Sequence, residues 1–188
     1  MFYINIQTVL EDSQKVGHDN YTRVYPSLIK LFEQNEELSF DDIVCACHVV
    51  YGWMPTMLKF NKFGKDNSEL SNLINKIRNT GKADLMELNQ IKYFVNNSIV
   101  GVSKLLHILR PDIFPIWDSK IYKALFRSKK AYGYNVNNVQ SYVTYIDEIK
   151  KTIKHPEFKI AHERVNRNLG YDVSAVRACE IILFQSTK

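Results

Sequence analysis

Long apolar runs are missing from this chain. None approaches the roughly 20 residues that a membrane-spanning helix needs, so no membrane partner is expected. The opening MFYINIQTVLED lacks a basic start and a small-residue cleavage site, so no secretory signal is expected there. Cysteine is scarce as well. Cys45, Cys47 and Cys179 do not make a disulfide framework, and a reducing cytoplasm is the expected compartment. Seven glycines and five prolines in 188 residues argue against disorder and against a turn-rich all-β fold. Gly-rich phosphate loops are absent, which excludes the P-loop and dinucleotide fingerprints. No repeat, low-complexity tract or long linker divides the chain, and no motif asks for a cofactor.

What remains is helical patterning. The opening 1–20 reads as a short strand or a first helix, ended by Gly17, Asp19 and Asn20. A helix over 21–34 places Val24, Leu28, Leu31 and Phe32 on one face, with Pro26 expected in its first turn. Ser39 and Asp42 have the spacing of a helix start, and the following DDIVCACHVVYGW is apolar on nearly all sides, as central buried helices are. The segment MPTMLKFNKF reads as a short helix or an irregular stretch. Asp66-Asn67-Ser68 opens a helix with Leu70, Leu73, Ile74 and Ile77 as its stripe and Gly81 as its stop. Asp84 opens the next. Toward the C-terminus, Val139, Val143, Ile146, Ile149 and Ile153 share one face of a helix, EFKIAHERVNRNL makes another, and Asp172 or Ser174 caps the last. Nine or ten helices with short connectors predict one all-α, multi-helix domain over 1–188.

The chemistry concentrates in 97–127. A hydrophobic helix is predicted over 99–109, a proline-bounded connector over 110–115, a helix start at Trp117-Asp118-Ser119, and a helix with a basic face over 120–127. Asp118 follows the apolar Phe114-Pro115-Ile116-Trp117 and precedes cations. A carboxylate so placed is partly desolvated yet held ionised by helix-start N–H groups, which suits stabilising a cation or activating water. The same pattern also describes a plain N-cap. Lys120, Lys123 and Arg127 share a helix face, with Lys129 and Lys130 beyond. That stripe reads either as phosphate contacts or as a solvated face. The loop that follows, SKKAYGYNVNN, is basic, aromatic and expected to be exposed.

Other candidates read as packing. Cys45, Cys47 and His48 have the wrong spacing for a zinc knuckle, so no metal site is expected. His107 lies among Leu105, Leu106, Ile108 and Leu109, where a histidine bonded to a carbonyl or carboxylate is the simpler reading. The net charge of +5 and pI near 9.0 favour anionic partners.

The stretch IVGVSK, a helix, and then FPIWDSKIYKAL resembles the helix-hairpin-helix DNA glycosylase superfamily, whose pattern is a glycine hairpin LPGVGxKTA, a helix, and a segment like FPVDTHVxRVL. The resemblance spans about 30 residues. It implies a catalytic carboxylate at Asp118 and a phosphate-holding hairpin around Gly101, and it puts Ser103 at the position of the lyase lysine with Lys104 one residue on. The chain also resembles uncharacterised bacterial proteins with a K-L-L-H…P…F-P-I-x-D-S signature. The expectation is a DNA- or nucleic-acid-directed enzyme that cleaves an N-glycosidic bond, with Asp118 and Lys104 as catalytic residues. Gly101, Ser103, Trp117, Lys120, Lys123 and Arg127 would hold the nucleic acid. The alternative is a non-catalytic binding module in which Asp118 is only a helix cap.

Overall fold

The computed structural model describes residues 2–186 apart from 34, 55–58, 62–66, 127 and 129. Most of the helices predicted above are present: the described residues form eleven helices and a single isolated β-bridge, Phe60 to Val95. The ambiguous opening is helical, as α1 (Ile6–Ser13). Most of the segment MPTMLKFNKF, and Asp66, lie outside the described residues.

Local rules explain where the helices start. Ser39 and Asp42 bond each other's backbone N–H at the head of α3 (Phe40–Trp53), a reciprocal cap. Asp84 and Glu87 do the same for α5 (Leu85–Phe94). Ser174, not Asp172, caps α11 (Ala175–Gln185). Gly81, at φ 64°, follows α4 (Asn67–Thr80) and supplies the left-handed stop.

Two faces differ from the pattern. In α2 (Asn20–Glu33), Val24 and Leu31 are exposed, while Thr22, Tyr25 and Phe32 are buried. Tyr25 goes inward because its hydroxyl finds a partner in His107 at 3.0 Å. Pro26 sits in the second turn of α2, not the first. Its missing N–H frees the Thr22 carbonyl, which instead accepts from the Tyr171 hydroxyl at 2.5 Å. Helix α3 is also more one-sided than its composition implies. Ile43, Ala46, Cys47 and Val50 are buried, but Cys45 and His48 are exposed.

The helices gather round two axes. The first, α6 (Ile99–Leu109), packs against α2, α3 and α5. Its residues 101–109 are all buried. The second, α11, packs against α1, α7 (Ser119–Phe126), α9 (Val139–Ile153) and α10 (Phe158–Leu169). Between them runs residues 110–118, which leave α6 and enter α7. The short α8 (Gly133–Val136) closes over this segment, its Val136 carbonyl accepting from Trp117 Nε1 at 2.7 Å.

The hairpin expected around Gly101 is instead the first turn of α6. The left-handed turn before it is made by Asn96 and Asn97, at φ 58° and 49°. Gly101 itself is buried, and a Cβ there would lie 2.5 Å from Tyr51 Oη and 2.9 Å from Val95 Cγ1. Its lack of a side chain serves helix packing.

G101A should therefore destabilise the protein by about 1–3 kcal/mol through overpacking, against a propensity gain of at most about 1 kcal/mol. Removing the obstructing hydroxyl with Y51F should reduce that loss. Urea unfolding of the single and double variants measures both, and a G101A protein more stable than wild type would rule the packing account out.

Candidate functional site

After a turn at 111–113, the segment leaving α6 is irregular, buried and without a sheet partner. Phe114, Pro115, Ile116 and Trp117 are all buried. Side chains meet its backbone groups. His107 donates from Nδ1 to the Phe114 carbonyl at 2.7 Å. A carbonyl can only accept, so Nε2 is the acceptor for Tyr25 O–H. Tyr142 donates to the Pro115 carbonyl at 3.2 Å. Ser103 Oγ accepts from Trp117 N–H at 3.0 Å and lies 2.8 Å from the Val100 carbonyl. These contacts deliver Asp118 to the protein surface at a fixed place.

There Asp118 caps α7. Its Oδ1 accepts from the N–H groups of Lys120 (2.8 Å) and Ile121 (2.9 Å). Asp118 and Lys104 line one open pocket of about 240 Å³ with Tyr21, Met54, Ser119, Lys120 and Phe184. Two carboxylate- and amine-bearing residues 14 positions apart thus meet in one cavity. Lys104 is buried, and burial lowers its pKa below the usual 10.5 while the Asp118 charge opposes that shift. Lys120 holds its ammonium 4.3 Å from the centre of the Phe184 ring, a cation–π contact at the rim.

Behind this pocket lies a recess of about 10 Å³, room for one water at most. It shares Tyr21, Met54 and Phe184 with the larger pocket and is also lined by Trp53, Arg177 and Glu180. Arg177 and Glu180 form a buried ion pair. The guanidinium lies 4.4 Å from the Tyr25 ring centre and 5.7 Å from that of Trp53, and Arg177 Nε has no partner among the described residues. Burial pushes the Glu180 carboxyl up to about 7, against the pull of Arg177. This pair is absent from the candidates drawn from the sequence, which placed only a cap, Asp172 or Ser174, on the last helix. Its signal was there: a cation and an acid three residues apart inside AVRACEIILF.

The other expected site residues are placed differently. Trp117 is fully buried, so it is core and cannot stack on a base. Ser103 is fully buried and spent on the connector. Gly101 donates to Ser98 Oγ at 3.3 Å, and the neighbouring N–H groups of Ile99 and Val102 already have acceptors in Asn137 and Ser98. The start of α6 is therefore no phosphate cradle. Lys123 is exposed and lies outside the pocket lining. Arg127 and Lys129 lie outside the described residues. Among the described residues no three His, Cys, Asp or Glu side chains are grouped to hold a metal ion, and no helix is long and apolar enough to cross a membrane. No family model, curated protein or solved structure matches the chain.

The buried imidazole of His107 gives a pH test. Burial, with Arg177 nearby, holds its pKa well below the usual 6.5. As pH falls below about 6.5 the unfolded chain takes up a proton that the folded chain refuses, so stability is lost toward acid. Glu180 acts with the opposite sign, favouring the fold below about 4.5 and losing that contribution as pH rises through about 7. It is present in wild type and H107Q alike, so their difference isolates His107. Between pH 6.5 and 5, wild type should lose stability relative to H107Q by up to about 1.4 kcal/mol per pH unit. Parallel denaturation curves would show that His107 is not held neutral.

Proposed function

We propose that the protein acts on an N-glycosidic bond in a nucleic acid, with the pocket of Lys104 and Asp118 as its reaction centre. One observation carries this reading: a buried lysine and a capping aspartate from separate elements line the same open pocket. The C1′–N bond would break with its electron pair leaving on the base. Asp118 stabilises the positive charge that gathers on the sugar, or takes a proton from the attacking water. Lys104 lies beside it. Burial lowers its pKa, the direction an attacking amine requires, and its ammonium form offers a charge to the departing base. Tyr21 and Phe184 supply aromatic wall on which an extruded base can lie.

A second reading has its own observation. The two hydrogen bonds of Asp118 both come from its own helix start, as in a binding module where it is only a cap.

D118N separates the two, because asparagine caps a helix about as well as aspartate but carries no charge. Duplexes bearing uracil, hypoxanthine or alkylated bases, with abasic products scored after alkaline cleavage, are the assay. The enzyme reading expects base release by wild type, a loss of about a hundredfold or more in D118N, and an unchanged melting temperature. A borohydride-trapped adduct on an abasic duplex, absent in K104Q, assigns Lys104 the attack on C1′. Cleavage without an adduct leaves it as the neighbouring cation. No release on any substrate, or release indifferent to D118N, leaves the module.

A further inference from the structure

The excess charge of the chain is not spread over it. Between positions 119 and 146 the sequence carries Lys120, Lys123, Arg127, Lys129 and Lys130 and no Asp or Glu. The remaining 20 Lys and Arg equal the 20 Asp and Glu elsewhere. The whole net charge of +5 therefore belongs to one segment, α7 and the connection that follows it.

The same segment exposes aromatic surface. Tyr132 and Tyr134 are 51% and 76% exposed, with rings 5.7 Å apart and 12° from parallel. They are not carried by a free loop. The Tyr132 carbonyl accepts from the N–H groups of Asn135 and Val136, which closes the turn of α8. Val136 is tied to Trp117, and Asn137 bonds Ile99 N–H and the Asn97 carbonyl at 2.9 Å each. Two large rings are thus anchored in parallel and left in water, where burying them would be favourable. Lys130 and Lys123, both exposed, precede them in the chain, and Lys120 connects the series to the pocket rim.

We infer that Tyr132 and Tyr134, with Lys123 and Lys130, form a binding surface for single-stranded nucleic acid. Parallel rings offer faces to unpaired bases, whereas in a duplex those base faces are already stacked on one another. Lysines act as point charges on phosphates and do not ask for a particular base. The inference shares with the proposed function only its ligand class and uses none of its chemistry.

The test is fluorescence anisotropy of the full chain with labelled oligo-dT, a duplex of the same length and a glutamate peptide of the same charge, each titrated against salt. Oligo-dT should bind more tightly than either competitor. Y132A/Y134A should weaken that binding about 5- to 150-fold with little change in salt slope, and Y132F/Y134F should retain it. K123Q/K130Q should reduce the salt slope by about 1.4, from about 0.7 per phosphate contact on a single strand. Equal or tighter binding of the duplex or the peptide, or tyrosine substitutions without effect, would overturn the inference. Binding in the expected pattern without any base release would instead remove the enzymatic reading and leave this surface standing.

Discussion

The buried, non-helical stretch from Phe114 to Trp117 is the constraint on which the site depends. Such a backbone in a helical core has neither a helix nor a neighbouring strand to bond it, and each unmet polar group there costs about 1–3 kcal/mol. The chain answers with side chains on rigid helices. His107 and Ser103 come from α6, and Tyr142 comes from α9. Pro115 removes one N–H that would otherwise need an acceptor. Two of the polar residues of an otherwise apolar α6, Ser103 and His107, are thus explained by the segment they hold. The segment in turn sets where Asp118 emerges.

The same logic extends to α11. Arg177 lies against the Tyr25 ring, Tyr25 donates to His107, and His107 donates to the Phe114 carbonyl. A buried ion pair on one helix is therefore linked through two side chains, Tyr25 and His107, to the backbone that carries Asp118. Replacing such a pair with apolar residues is often neutral for stability, whereas removing one partner costs about 3–5 kcal/mol. The pair between Arg177 and Glu180 is better understood as fixing the position of Tyr25 than as a large source of stability. Charged groups of both signs line the two neighbouring pockets: Arg177 and Glu180 in one, Asp118, Lys104 and Lys120 in the other.

Much of this was legible beforehand. The all-α class followed from sparse glycine and proline with helical periodicity. The span of α6 followed from its apolar run and the proline-bounded connector, and the start of α7 from Asp118 and Ser119; Asp118 was picked out from its setting and a family resemblance, Lys104 from the resemblance. That the two share a pocket was not legible, because it depends on how the 110–118 segment crosses the core. The inward turn of Tyr25 was not legible either: its partner His107 is 82 residues away, and periodicity ranks Val24 and Leu31 as the better core residues. Trp117 and Ser103 were assigned outward roles because local sequence does not reveal that both serve the same buried segment.

Capping and chemistry are often set against each other for a residue such as Asp118, but the geometry does not force that choice. A carboxylate has four lone-pair sites on two oxygens. Both bonds to the α7 backbone fall on Oδ1, so the cap occupies one oxygen and orients the group, while the residue still lines the pocket. A carboxylate held in one orientation is what a cationic transition state requires. The bond pattern that suggests a module is therefore compatible with the enzyme as well. What distinguishes them is whether the negative charge, rather than the hydrogen-bond acceptor, is needed.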